Sequence, residues 1–190
     1  MDEDRLIRLA AGGDAAAFNV LLGNHEKRMY AVCLRICGNQ EDAQDCLQES
    51  MLRVFRSISG FKGQSSFSTW VYRVTMNTCL DELRKRKNKG STSLDGLQDA
   101  GWAPTDERDT PEHYTIREER KREIQKCISE LPEDMRTAIV LRDIQGFSYD
   151  DISEIMNANV GTIKSRISRG REKLREKLLA RAELFDSWNV

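Results

Sequence analysis

The chain has 190 residues, with 30 Lys and Arg set against 31 Asp and Glu for a formal net charge of −1; 32 % of residues are charged and 7 % aromatic. That mix suits one or two small helix-rich domains, and no apolar run approaches the roughly 20 residues that span a bilayer. The N-terminus starts acidic and lacks a signal-peptide core, so the chain reads as cytoplasmic.

Helical periodicity dominates and no strand pattern or internal repeat stands out. A short helix around 2–11 ends at Gly12-Gly13. Asp14 can cap the next helix, which carries Phe18, Leu21, Leu22, Met29, Val32, Cys33 and Ile36 at three- and four-residue steps until Gly38-Asn39. A third helix, about 41–58, turns Ala43, Leu47, Val54 and Ile58 inward. Its opposite face bears Asp45, Gln48, Glu49, Leu52 and Arg56. An apolar Leu52 among carboxylates and amides fits a protein contact, since carboxylates repel nucleic acid; it also fits one stray surface leucine.

The loop SGFKGQSS follows, and Ser65 or Ser66 can cap a fourth helix from about Phe67 to Lys87. On a helical wheel Phe67, Val71, Val74 and Thr78 form one buried stripe, and Tyr72, Met76, Leu80 and Leu83 a second. Between them lie Trp70, Arg73, Asn77 and Arg84, read as an exposed stripe. A ring beside cations can stack an unpaired base, an amide can bond a base edge, and the run RKRKNK at 84–89 can grip phosphates. A capping Trp on a bundle with a solvated Arg face satisfies the same pattern.

From about Asn88 to Pro111 the chain reads as a linker: Gly, Ser, Thr, Asp and Pro with few large apolar side chains, Leu97 and Trp102 among them. It is acidic, with Asp95, Asp99, Asp106, Glu107, Asp109 and Glu112 against Arg108 alone over 95–112. Helices then resume. Ile124, Cys127, Ile128 and Leu131 step along one face, and Pro132 opens a helix of roughly 133–144. Ser148 can cap a helix with Ile152, Ile155 and Met156 inward and Asp150, Asp151 and Glu154 outward. NANV supplies a turn, and Gly161-Thr162 open the last helix.

In that last helix Ile163, Ile167, Leu174 and Leu178 fall within about 60° of one another, with Gly170 at the stripe's edge. Ser165, Ser168, Arg169 and Glu172 point the other way, flanked by Lys164, Arg166, Arg171 and Lys173. Two short helices with a tight turn, the second basic, form a helix-turn-helix: a few polar side chains for base edges and cations for the groove walls. A solvated basic helix in an ordinary bundle fits the pattern as well.

Five cysteines occur, Cys33, Cys37, Cys46, Cys79 and Cys127, all at apolar positions of helical patterns. Cys33 and Cys37 are spaced as metal ligands on a helix could be, but no second pair at such spacing follows and His25 and His113 sit elsewhere. The expectation is therefore buried small hydrophobes in a reducing compartment, with no metal and no cofactor. No P-loop, HExxH or GxSxG motif and no convergent acid–base set is present, which argues against an enzyme.

Two stretches together carry a resemblance. DAQDCLQESMLRVFRSISGFKGQSSFSTWVYRVTMNTCLDELRKRK is similar to region 2, and ELPEDMRTAIVLRDIQGFSYDDISEIMNANVGTIKSRISRGREKLREKL to region 4, of the extracytoplasmic-function (group 4) sigma factors of bacterial RNA polymerase. The resemblance implies an all-α chain of two small helical domains, region 2 over 1–88 and the region 4 helix-turn-helix over 116–190, joined by a flexible acidic linker at 89–115. It implies core RNA polymerase, promoter DNA and an anti-sigma factor as partners, and no membrane contact. The helix holding Asp45, Gln48 and Glu49, with Leu52 and Arg56 on the same face, would dock on the β′ clamp helices. Phe61, the loop Lys62, Gly63, Gln64, Ser65 and Ser66, and Asn77 would hold a flipped base of the −10 element, with Trp70 and Arg73 beside it and Arg84 further along. The helix opened by Thr162 would read the −35 element: Ser165, Ser168 and Arg169 on bases, and Lys164, Arg166, Arg171 and Lys173 on the backbone. Region 4 would also hold the β flap, and the acidic linker would cross the polymerase's basic RNA channel. The family often has Glu where Gln44 stands and an acidic residue where Gln64 stands, which implies a weaker clamp contact and an altered base preference. A free-standing helix-turn-helix regulator is the competing reading. It needs neither the Trp70/Arg73/Asn77 stripe nor the Asp45/Glu49 face.

Overall fold

The computed structural model describes residues 2–88 and 111–181, with side chains omitted for 88 and 111–118. The expected acidic stretch, with Leu97 and Trp102, lies outside the described residues up to position 110. Its last positions, 111–115, are helical.

The first half is four helices: α1 (Glu3–Ala11), α2 (Ala15–Cys37), α3 (Gln40–Ser57) and α4 (Phe67–Asn88), with a 3₁₀ turn at Ile58–Gly60. The expected caps form. Asp14 accepts from the amides of Ala16 and Ala17, and Ser66 accepts from the amide of Thr69. Gly38 closes α2 in the left-handed region (φ 86°), and Asn39 next to it caps α3. One glycine therefore reverses the chain within two residues, setting the end of α2 against α3.

The second half contains α5 (Pro111–Ser129), α6 (Glu133–Ile139) continuing through a π turn at Val140–Ile144, α7 (Tyr149–Met156) and α8 (Val160–Leu179). Ser148 and Asp151 form a capping box at the start of α7. Asn157 in the left-handed region ends it, and Asn159 caps α8 by accepting from the amide of Thr162. On α5 the structure corrects the expected stripe: Ile124 is exposed, while Gln125 is buried and bonded to the other half.

Each half has apolar faces that meet in a shared core. Val32, Cys33 and Ile36 of α2 and Tyr72 and Met76 of α4 pack with Ile139, Val140, Leu141 and Ile152 of the second half. Tyr72 is fully buried with its ring edge-on to Phe147 at 4.8 Å, and burial pushes its phenol up to about 12. Polar bonds cross the same seam. Arg136 donates to the carbonyl of Ile36 at 2.8 Å, Gln125 donates to the carbonyl of Arg35 at 3.2 Å, and Arg35 donates to Gln125 at 3.2 Å. A second cluster, around Leu21, Leu22, Met29, Val54, Phe67 and Val71, belongs to the first half alone.

Gly170 lets α8 approach α6. A Cβ there would stand 2.9 Å from Cγ1 of the buried, β-branched Ile139 and 3.4 Å from Met135 Cβ. Overpacking of this kind costs about 1–3 kcal/mol, against about 1 kcal/mol of helix propensity gained on replacing glycine. Gly170→Ala is expected to lower the urea unfolding free energy by on the order of 1 kcal/mol. A variant as stable as the parent would show that Ile139 moves aside freely.

Candidate nucleic-acid interface

Three groups of side chains are in question, and the structure places each on a defined surface. The first is the outward side of α3. Asp45, Gln48 and Arg56 are exposed, Glu49 is partly covered, and Leu52 is 49 % exposed. Phe55, 44 % exposed beside it, was not picked out from the sequence because its ring also packs edge-on against Phe18 at 4.9 Å. Arg53 ties this face to α4, donating to Glu49 at 2.8 Å and to Asp81 at 3.1 Å. The Arg53 guanidinium holds the Glu49 carboxyl below its ordinary value.

The second surface surrounds the loop before α4. Phe61, Lys62, Gln64, Ser65, Trp70 and Arg73 line one pocket of about 520 Å³, in the range of small-ligand sites. Gly63 takes a left-handed conformation (φ 68°) that lets the loop fold over. Trp70 departs from the expected exposed stripe: only 9 % of it is exposed. The reason is a three-ring cluster, with Phe61 at 5.2 Å and Phe67 at 5.8 Å from the indole. Trp70 thus contributes a pocket wall rather than a free platform. Arg73 is half-buried, and Asn77 is exposed on the same side one turn on, outside the pocket lining. Arg84 lies further along α4, within 3.5 Å of Glu133 and 4.0 Å of Asp81. Ser66 is taken up by its capping role and by Thr69.

The second half contributes to that pocket as well: Glu154 of α7 and Asn157, which ends the helix, are among its lining residues. Thr69 donates to Asp151 at 2.9 Å, locking α7 against α4. Asp151, expected outward, is half-buried at this contact. Residues 82 positions apart meet here, and no sequence periodicity reports that.

The third surface is α8. Ile163, Ile167 and Gly170 are buried as expected. Ser165, Ser168, Arg169, Glu172 and Lys173 are exposed on the outer side. The flanking cations are partly engaged within the fold. Arg166 lies 3.1 Å from Asp134, Arg171 lies 2.5 Å from Asp143, and Lys164 stands over the Tyr149 ring. Exposed pairs of this kind are worth little to stability. The Thr162 hydroxyl is donated to Asn159 as part of the cap.

Family models agree with this arrangement. Residues 21–89 match Sigma-70 region 2, and residues 121–174 match Sigma-70 region 4. The chain is 37 % identical over 183 residues to the ECF RNA polymerase sigma-E factor of Haemophilus influenzae, covering 94 % of this chain and 96 % of that one. The chain belongs to the extracytoplasmic-function sigma factors.

The RNA polymerase sigma-H factor of Pseudomonas aeruginosa is 33 % identical over 180 residues, with 93 % of each chain covered. Among solved folds, CnrH in complex with the cytosolic domain of CnrY superposes with TM-score 0.69 at 22 % identity, covering 94 % of this chain and 99 % of that one. The sigma factor RpoE of Bartonella quintana, in complex with the anti-sigma factor NepR, gives 0.67 at 24 % identity over 85 % and 96 %. The chain is thus a promoter-recognising subunit for RNA polymerase and not an enzyme. No helix of the described residues is long and apolar enough to cross a membrane.

In this sigma factor Asp151 joins the capping box to the contact between the two regions. Its pKa is lowered, first by the Ser148 hydroxyl and then by Thr69. A depressed carboxylate stabilises the fold above its unfolded value near ~4, and that contribution is lost as pH falls through the lower folded value. Asp151→Ala is expected to cost about 1–2 kcal/mol at neutral pH. Asp151→Asn should flatten the stability decline below about pH 4, read from urea midpoints across pH.

Proposed function

We propose that region 2 spans 1–88 and region 4 spans 116–190, and that each carries one DNA-reading face, used in the cytoplasm on the polymerase-bound factor. The observation that carries this reading is the pocket framed by Phe61, Lys62, Gln64, Ser65, Trp70 and Arg73. It pairs an aromatic wall with two cations, which suits one unstacked base and its phosphates. Gly63 and Ser66 shape the loop, and Asn77 and Arg84 extend the track along α4. On α8, Ser165, Ser168 and Arg169 face base edges in the major groove. Lys164, Arg166, Arg171 and Lys173 neutralise phosphates, and Thr162 sets the helix start.

The outer side of α3, with Asp45, Gln48, Glu49, Leu52 and Arg56, is the polymerase clamp contact, and region 4 takes the flap. An apolar centre ringed by charge, extended by Phe55, supports that assignment. Two modest DNA contacts held on one scaffold gain from effective concentration, so selectivity belongs to the assembled enzyme. An anti-sigma factor is a further proposed partner, supported by the two similar folds solved with cytosolic or anti-sigma partners.

Run-off transcription with core polymerase on a genomic promoter library tests the reading. New discrete start sites are expected, lost in the Asp45→Ala/Glu49→Ala double variant. Arg169→Ala should weaken the strongest sites by roughly tenfold, in line with about 1–3 kcal/mol per base contact, and relax one position of the upstream element. Tight duplex binding by the protein alone, without polymerase-dependent initiation, would leave a conventional helix-turn-helix regulator. Affinity capture from stressed and unstressed cells should recover one further small protein besides polymerase; polymerase subunits alone in every condition would count against an anti-sigma factor.

A further inference from the structure

Four of the five cysteines converge at the junction of α2, α3 and α4. Cys37 is the last residue of α2, Cys46 lies in α3 and Cys79 in α4. Their three Sγ atoms lie within 4.8 Å of one another, with Cys37 and Cys46 3.5 Å apart. Cys33, one turn before Cys37, is fully buried and its thiol meets Cys79. From sequence only the Cys33/Cys37 pair shows a ligand spacing. The Gly38 reversal and the packing of α4 bring in the other two.

A tetrahedral zinc–thiolate site has Zn–S bonds of about 2.3 Å, which sets its sulfurs about 3.8 Å apart. The Cys37–Cys46 pair, at 3.5 Å, is close to that spacing, and the three sulfurs of Cys37, Cys46 and Cys79 all fall within 4.8 Å; Cys33 reaches the group through Cys79. Its surroundings suit a dication held by thiolates. Arg53 and Lys85 stand near Cys46 and offset the excess negative charge of such a site. A pocket of about 160 Å³ lined by Asp45, Glu49, Arg53, Glu82 and Lys85 reaches Cys46 from the surface and gives an ion a path to it.

We propose that Cys37, Cys46 and Cys79, with Cys33 as the fourth thiol, bind one zinc ion. Binding exchanges the thiol protons for the metal, the protons passing to solvent with no change of oxidation state. The ion staples α2, α3 and α4 together and fixes the outer side of α3 relative to α4. The inference does not rest on the sigma-factor reading, and its readout needs no polymerase.

The test uses the full chain purified under reducing conditions, loaded with Zn²⁺ alone and freed of excess metal. One equivalent of zinc is expected by elemental mass spectrometry. The native protein should protect three or four thiols from a thiol reagent until a chelator is added. Co²⁺ alone should give sulfur-to-cobalt charge-transfer absorption and tetrahedral ligand-field bands. Cys46→Ser and Cys79→Ser should each weaken binding by about a hundredfold or more, while Cys127→Ser, buried beside Arg181, should not. Zinc well below one equivalent with freely titrating thiols overturns the proposal. So does zinc retained unchanged in the Cys46→Ser/Cys79→Ser double variant, which marks an adventitious ion. A Cys37–Cys46 disulfide that forms in air equally with and without zinc points instead to a redox pair. Should the serine variants fail to fold, the cobalt spectrum of the parent protein decides, since its absence alone removes the site.

Discussion

Helix α4 is covered from two directions, and much else in the molecule depends on that. One side packs into the first-half cluster through Phe67, Trp70 and Val71; another meets the second half through Tyr72 and Met76. A helix buried on two sides has only a narrow strip left for solvent, and Arg73 and Asn77 occupy it. The same packing holds the loop from Phe61 to Ser66 against a rigid wall, because Phe61 stacks on rings that α4 itself anchors. A pocket built this way is preorganised: its aromatic wall is fixed by the packing of the helix itself.

The seam between the halves is partly apolar and partly polar. Its apolar part, Tyr72 against Phe147 with Ile139, Val140 and Leu141 nearby, supplies the larger favourable term by removing side chains from water. Its polar part fixes register. Arg136 satisfies the Ile36 carbonyl near the C-terminal end of α2, and Gln125 satisfies that of Arg35. These carbonyls have no partner within α2, and buried ones need donors from elsewhere. Thr69 and Asp151 do similar work between α4 and α7. The seam also brings Glu154 and Asn157 into the lining of the pocket.

Charge follows a matching logic. The near-neutral sum conceals cations that are held in place by local carboxylates. Arg166 rests on Asp134, Arg171 on Asp143 and Arg53 on Glu49 and Asp81. Exposed pairs of this type stabilise the fold little, but they keep long side chains extended at the surface. Asp42 is the exception: buried, and paired with both Arg86 and Asn39, it ties the start of α3 to the end of α4.

The helices, their caps and the family were legible in the sequence because each rests on local chemistry. Asp14, Ser66 and Ser148 bond amides two or three residues away, and the core stripe of α8 repeats at helical spacing. The exposed reading of Trp70 failed because a helical wheel shows direction, not what stands opposite; the Phe61 ring comes from a loop that the wheel omits. Ile124 and Gln125 changed places for a similar reason, since carbonyls of α2 made a buried amide more favourable than a buried isoleucine at that position. The sequence by itself determined the elements, their order and the polar residues offered on α3, α4 and α8. Only the tertiary structure decided which of those residues share a pocket, which cations are paired, and that thiols from three helices meet at one point, because such contacts arise from the packing of distant segments and leave no period along the chain.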